Sequence, residues 1–167
     1  MNLFIHDLSH ETDISCFLPT TTAWHVVSEK GALSSCKGCF DCWVKTPGQC
    51  ILHDGYETLS QVMGACDSIR ILSRCIYGSE SPFVKSVLDR SIGYVLPLFT
   101  IRKGCMRHRR RYKNTLKLQV LFYGVSPECQ EAATARRLVD AQARNMMIKH
   151  VEVSFYETLA ALKAAVL

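Results

Sequence analysis

The stretch that decides the fold is Ser68-Ile69-Arg70-Ile71-Leu72-Ser73-Arg74-Cys75, which leads directly into Ile76-Tyr77-Gly78-Ser79. Apolar residues within Ser68 to Cys75 show no 3.6-residue period, and this pattern predicts a strand buried in a parallel sheet. Ser81-Pro82 then predicts a helix start, because serine caps the first turn and proline is tolerated at its first position. A strand, a loop and a helix in this order form the repeating unit of an α/β sheet.

The rest of the chain alternates in the same way. Four more strands are predicted, at Asn2 to His6, Ala23 to Val27, Leu116 to Gly124 and Ile148 to Phe155. Further helices are predicted from about Gly55 to Ala65, where Asp54 and Glu57 have capping-box spacing, from Ser126-Pro127 to about Asn145, and from Glu157 to Leu167. The sequence therefore predicts one domain over residues 1–167, with a five-stranded parallel sheet and helices on both faces.

The segment Ser9 to Thr22, between the first two strands, does not fit this pattern. It contains Pro19 and three consecutive threonines, without an apolar period of 3.6 residues. Proline disfavours helix at Leu18, and β-branched threonines are poor helix formers. We expect the first crossover helix to be shortened or missing. Its loss would expose apolar surface on the first three strands and favour association with a second subunit.

Composition argues against a secreted, disulfide-bonded protein and against a membrane-spanning protein. The 167 residues are 48% hydrophobic, which is enough for one packed core. The nine cysteines are an odd number, and Met1 to Asp7 lacks the features of a secretory signal, so reduced thiols in a cytoplasm are expected rather than a secreted disulfide framework. No apolar run approaches the ~20 residues that span a bilayer. We expect a soluble, cytoplasmic protein without a membrane partner.

The positive charge of the chain is local. Arg102 to Lys113 holds seven of the 20 basic residues and no acid, which leaves 13 basic residues against 15 acidic ones elsewhere. This segment belongs to an insertion that follows Arg90 and passes through Gly93 and Pro97, in which we expect short helical pieces. Three interpretations stay open for the basic segment: a solvated loop, an interface with a subunit or acidic partner, or a contact with the phosphate of a cofactor or nucleic acid. Nucleic acid is not an expected partner.

Four cysteines lie close together in the sequence, at Cys36, Cys39, Cys42 and Cys50. Gly38 and Pro47-Gly48 permit tight turns that would point these thiols inward from one loop. Three interpretations are open: reduced thiols packed as small apolar groups, a [4Fe–4S] cluster, or a zinc site. We expect at least three of the four sulfurs to gather in one small volume.

Two motifs carry a resemblance to a known family. The run from Cys36 to Cys50, followed by Asp54, resembles the second βα loop of the flavodoxin-like NAD(P)H-dependent FMN reductases. Downstream, Cys75 to Ser79 with Lys85 and Asp89-Arg90 is similar to that family's P-x-Y-x-G-S … K-x-x-x-D-R signature. The resemblance implies a flavodoxin-like three-layer sandwich with strand order 2-1-3-4-5. It also implies FMN as cofactor, NAD(P)H as electron donor, and a cluster on the four cysteines, as in iron–sulfur flavoproteins.

Ligands of open α/β sheets bind where strands end at their carboxyl termini. A flavin needs a flat slot, hydrogen-bond donors near its ring and an anion site for its phosphate. Lys85 and Asp89 are four residues apart and are expected to form an ion pair on one helix face. The candidate cofactor-binding residues are Arg74, Cys75, Ile76, Tyr77, Gly78 and Ser79 after the third strand, Tyr123, Gly124 and Val125 after the fourth, and Ser9, His10 and Thr12 as a reduced phosphate site after the first.

The leading functional hypothesis is an oxidoreductase that binds FMN and transfers electrons from NAD(P)H to an acceptor through the flavin, with a cysteine-ligated iron–sulfur cluster as a further relay. The alternative is a flavin-free module of the same fold that binds a partner or handles a metal through its cysteines. The sequence contains no Walker loop and no serine-nucleophile elbow. A homo-oligomer, either a dimer or a tetramer, is expected.

Overall fold

The computed structural model describes residues 1–19, 22–31, 33–102 and 104–166. Its strands are β1 (Asn2–His6), β2 (Trp24–Val27), β3 (Ser68–Arg74), β4 (Val95–Arg102), β5 (Cys105–Arg110), β6 (Lys117–Tyr123) and β7 (His150–Tyr156). Five of them form a parallel sheet in the order β2-β1-β3-β6-β7. This order confirms the predicted 2-1-3-4-5 arrangement.

The helices are α1 (Asp41–Val44), α2 (Leu59–Ala65), α3 (Pro82–Arg90), α4 (Gln130–Asn145) and α5 (Leu159–Val166), with three-residue 3-10 turns at Ser15–Phe17 and Ile92–Tyr94. The predicted start of α3 is confirmed, because the Ser81 side chain accepts a hydrogen bond from the Val84 amide and Pro82 occupies the first turn. Lys85 and Asp89 form the expected ion pair along the same helix.

Two predicted helix starts are wrong. Helix α2 begins at Leu59 rather than near Gly55, because Asp54 and Glu57 accept from the Tyr56 and Gly55 amides in a local turn, and Asp54 also accepts from Arg90. Helix α4 begins at Gln130, not at Ser126-Pro127, since those residues form a turn that the Cys129 amide closes onto the Ser126 carbonyl at 3.2 Å.

The sheet buries a different apolar set on each face. One face carries Leu3, Ile5, Ile69 and Ile71, which pack with buried residues of α2, α3 and α4. The other face carries Phe4, Leu72 and Leu121, which pack with Leu162 of α5 and with Phe17. Alternate residues of each central strand thus enter opposite cores, as the two-residue period of a strand requires.

The connection between β1 and β2 has the expected short form. In its described residues the regular structure is the Ser15–Phe17 turn; Thr20 and Thr21 lie outside the described part of the chain. The expected exposure of apolar strand surface is wrong, however. Phe4 and Leu72 are fully buried, because Leu8 and Phe17 cover them where a crossover helix would otherwise pack.

After α3 the insertion contains one short helical piece, the 3-10 turn Ile92–Tyr94, and then forms a hairpin that the sequence did not predict. Strands β4 and β5 pair antiparallel as a separate two-stranded sheet, with a register shift between Leu96 and Phe99. Large apolar side chains on this hairpin face solvent, namely Leu98, Phe99, Ile101 and Met106. Val95–Thr100 contains β-branched and aromatic residues, a pattern that favours a strand. The sequence analysis predicted an insertion in this region and missed that strand. None of the described helices has the length and apolar character to cross a membrane.

Candidate functional site at the carboxyl edge of the sheet

The loops after β3 and β6 meet at one edge, which we call the carboxyl edge. Arg74 and Tyr123 are paired at the last position of the two strands. The Cys75 amide then donates to the Tyr123 carbonyl at 2.9 Å, which extends the pairing by one residue. The Arg74 side chain lies over Gly124, about 3.5 Å from where a Cβ would be. Parallel pairing therefore brings two of the three predicted loops together.

Tyr77 is presented at the tip of a tight turn. Ile76 and Ser79 exchange amide-to-carbonyl hydrogen bonds of 2.9 and 3.0 Å across it. Tyr77 has a φ of 50° and Gly78 a φ of 74°, so the two central residues both adopt left-handed backbone, as hairpin turns of this length require. The Tyr77 side chain is 90% exposed. Its ring is therefore available to a ligand and does not fill the core.

Gly78 fixes this turn against helix α4. A Cβ at Gly78 would lie 2.8 Å from the Thr134 Cβ and 3.1 Å from the Glu131 carbonyl oxygen. Glycine is required both by the positive φ and by this close approach. The turn therefore has little freedom to move away from α4.

Asp7, which the sequence analysis did not select, joins the ends of three strands. It follows β1 directly, and its carboxylate accepts from the Arg74 amide at 2.8 Å, the Ser73 hydroxyl at 3.2 Å and the Tyr123 hydroxyl at 3.1 Å. Burial, followed by the charge of Asp7, raises the pKa of Tyr123 well above its ordinary value. The sequence signal that could have identified Asp7 is its position as an acidic residue immediately after the buried first strand.

The predicted phosphate residues continue from Asp7. The hydroxyl groups of Ser9 and Thr12 lie 3.0 Å apart, and the Thr12 amide donates to the Ser9 carbonyl at 3.0 Å. Ser9 and His10 are exposed. These groups suit a single phosphate contact, although the three-residue turn that follows lacks the aligned amides of a full helix. The residues present thus fit a flavin ring better than its phosphate.

Two predicted site residues have structural roles instead. Cys75 and Val125 are both buried, and their amides bond to the Tyr123 and Tyr156 carbonyl groups. Burial raises the pKa of the Cys75 thiol, which keeps it protonated and unreactive. Both residues terminate strands, because hydrogen bonding to the neighbouring strand continues past the last residue of β3 and of β6.

A buried carboxylate underlies the Tyr77 turn. Glu80 is 3% exposed, and its Oε2 accepts from the Ser79 hydroxyl at 3.2 Å and from the Gln142 amide nitrogen at 3.4 Å. Its Oε1 has no hydrogen-bond partner among the described residues. Glu80 therefore orients Ser79 from below and links the turn to α4.

The cysteine loop, residues 36–50, does not form the predicted ligand set. Cys36 and Cys39 are exposed in a stretch without regular structure, whereas Cys42 lies half-buried on α1 and Cys50 half-buried beyond it. Burial, and then the nearby thiols of Cys50, Cys36 and Cys39, raise the pKa of Cys42. No three His, Cys, Asp or Glu side chains within the described ranges are arranged to hold a metal ion. The thiols border a common cavity but do not converge on one point, so they do not fit a cluster.

Side chains other than the cysteines anchor the cysteine loop. The Trp43 indole N–H donates to the Val95 carbonyl at 2.9 Å. Fully buried Arg90 donates to both carboxylate oxygens of Asp54, at 2.6 and 3.0 Å, and to the Ser34 carbonyl at 2.9 Å. The Arg90 guanidinium holds the pKa of Asp54 at about 2.

The strand order, the three strand-end loops and the two helical layers define a flavodoxin-like α/β fold. Solved structures with this fold include an azoreductase from Bacillus anthracis (12% identity, TM-score 0.59, covering 93% of this chain and 86% of that one). They also include an FMN-dependent NADH-azoreductase from the same species in complex with FMN (10%, 0.56, 99% and 88%) and the general stress protein 14 from Treponema denticola in complex with FMN (13%, 0.51, 99% and 90%). No protein-family model and no curated protein matches the chain.

Proposed function

We propose that the protein is a flavin-dependent oxidoreductase that holds FMN at the carboxyl edge and uses NAD(P)H as its electron donor. The observation that carries this proposal is the exposed Tyr77 ring, held by a rigid turn at the meeting point of β3 and β6. Two proteins of the same fold have solved structures in complex with FMN. The bound flavin would supply the redox chemistry, since protein side chains do not carry hydride.

The chain's own residues would bind and orient the ring. Tyr77 offers a flat apolar surface, and the backbone of Gly78 is close enough to α4 to keep that surface in place. We assign the FMN phosphate to the Arg74 side chain, which lies beside Gly124, and to the Ser9 and Thr12 hydroxyl groups. The Asp7 carboxylate repels an FMN phosphate placed beside it, and no full helix follows β1 to offset that repulsion. We therefore expect FMN to bind less tightly than it does to proteins in which a full helix follows the first strand.

Flavin retention in two variants tests this placement. Ser79→Trp fills the space beside the Tyr77 turn, and we expect FMN affinity to fall at least about tenfold. Phe99→Trp, on the exposed hairpin, is the matched control and should bind FMN normally. Equal FMN affinity in folded Ser79→Trp and wild-type protein would contradict the site. If the wild-type protein binds no flavin, the alternative function of a flavin-free module is favoured. The negative charge of Asp7 near the proposed phosphate position is the observation that makes this the second candidate.

We also propose that the protein forms a homo-oligomer. The support is the exposed apolar surface of the hairpin, formed by Leu98, Phe99, Ile101 and Met106. Light scattering at micromolar concentration should give a mass above that of one chain. Ile101→Asp should lower that mass, and a monomeric wild-type protein would contradict the proposal.

A further inference from the structure

A cavity of about 520 Å³ lies between α3 and α4, away from the carboxyl edge. Ile69 and Leu118 form part of its floor, and each is the second residue of its strand, so the cavity opens over the amino-terminal half of the sheet. Leu88 of α3 and Leu138 of α4 form part of its walls. The cavity is therefore distinct from the carboxyl edge, and Gln142 of its lining connects the two through its hydrogen bond to Glu80 beneath the Tyr77 turn.

The size and lining of the cavity suit a small organic molecule. Pockets for such ligands typically measure about 300–1,000 Å³ and have mainly apolar walls with few polar groups. Exposed Cys36 and Cys39 line one side, which places the opening at the cysteine loop. Half-buried Cys42 and Cys50 lie deeper along the same side. A ligand inside would therefore cover the thiols of Cys42 and Cys50.

Charge determines which ligand is preferred. Of the charged residues in the lining, Lys85 is paired with Asp89, Arg90 is paired with Asp54 outside the cavity, and Lys37 lies in the exposed stretch at the opening. The paired charges in the interior leave little attraction for an ionic ligand there. Arg90 is fully buried, so its guanidinium does not offer its charge to a ligand in the cavity either.

We propose that this cavity is a second binding site, which accepts an uncharged aromatic compound. The apolar walls bind its rings. This site does not depend on whether flavin binds at the carboxyl edge.

Prodan, an uncharged naphthalene ketone whose emission shifts in apolar surroundings, is a suitable probe. Titration of the protein should give a saturable blue shift with one Prodan per chain. The naphthalene sulfonate ANS, an anion, should bind at least about tenfold more weakly. A Prodan shift that does not saturate, or tighter binding of ANS, would overturn the proposal.

Two tryptophan variants of α4 locate the probe. Leu138→Trp fills the cavity and should weaken Prodan binding at least about tenfold, whereas Ala141→Trp, at an exposed position outside the lining, should leave it unchanged. Saturating Prodan should also slow alkylation of Cys42 and Cys50 by iodoacetamide and leave exposed Cys105 unaffected. Wild-type affinity in folded Leu138→Trp, or unprotected Cys42 and Cys50, would place the dye elsewhere and overturn the proposal.

Discussion

The carboxyl edge and the cysteine loop hold their candidate residues in different ways. At the carboxyl edge, strand pairing sets the positions of Arg74 and Tyr123, and Asp7 joins both to the first strand. In the cysteine loop, Cys36 and Cys39 lie in an exposed stretch without regular structure. The loop is fixed through Trp43 and the Arg90–Asp54 pair rather than through its thiols.

This difference shows which kind of sequence pattern fixes a site. Residues at the ends of neighbouring parallel strands must meet, because the sheet determines where each strand ends. Close spacing of cysteines permits their sulfurs to meet but does not require it, since the backbone between Cys36 and Phe40 has alternatives to a closed loop. Four predictions test this comparison.

The largest effect is expected at the anchor of the cysteine loop. Asp54→Asn removes the negative charge that faces fully buried Arg90. Loss of one partner from a buried pair costs about 3–5 kcal/mol, and we expect a loss of this order in the free energy of unfolding measured with urea. Asp89→Asn, which breaks the solvent-exposed pair with Lys85, should cost at most about 1 kcal/mol. A similar, small effect of both changes would show that Arg90 does not anchor the loop.

The same pair predicts an acid transition. The folded-state pKa of Asp54 is lowered from 3.8 to about 2, so its contribution is complete above pH 4 and is lost as the pH falls towards 2. That contribution is about 2 kcal/mol at neutral pH. Urea denaturation between pH 2 and pH 5 measures it. A variant that lacks this carboxylate should lose less stability over that range than the wild-type protein does.

A smaller loss is expected at the Tyr77 turn. Gly78→Ala adds a Cβ at positive φ and 2.8 Å from Thr134, and should lower the free energy of unfolding by about 1–3 kcal/mol. Gly104→Ala has nearly the same φ but nothing within 4 Å of the new Cβ. The difference between the two variants isolates the contact with α4. No difference would mean that α4 does not hold the turn.

The smallest effect is expected where Asp7 contacts Tyr123 at the end of β6. Tyr123→Phe removes the hydroxyl that donates to Asp7 and should cost about 1 kcal/mol of unfolding free energy. Tyr156→Phe, at the end of the neighbouring strand, is a control for the loss of a hydroxyl. Burial also raises the pKa of Tyr94 and of Tyr112, so ultraviolet titration should show three tyrosines with raised pKa values in the wild-type protein, and the most strongly raised of them should be missing in Tyr123→Phe. Persistence of that tyrosine in the variant would contradict the assignment.

The sequence predicted the sheet well because apolar patterns and Ser81-Pro82 act locally. The strand bounds Asn2–His6 were predicted correctly from the apolar pattern, and the strand order was predicted correctly from the family resemblance. The hairpin after α3 was missed because its outward side chains, such as Ile101, do not alternate with buried ones as strands against a core do. The short β1–β2 connection was predicted, but not that Phe17 would cover the sheet in place of a helix.

At the candidate site, the loops that follow strands were predicted and the contacts between them were not. Tyr77, Gly78 and Ser79 lie together because they are consecutive. Asp7 and Glu80 act through distant partners, Tyr123 and Gln142, and no local spacing reveals such pairs. Asp54 was assigned to a local cap because its partner Arg90 is 36 residues away.

Hydrogen–deuterium exchange with and without FMN tests the central claim most directly. We expect FMN to slow amide exchange in the two loops that meet at the carboxyl edge, Ile76 to Ser79 and Tyr123 to Val125, while Cys36 to Cys50 exchanges at an unchanged rate. Protection confined to Cys36 to Cys50, or saturating FMN without protection at the carboxyl edge, would contradict the account.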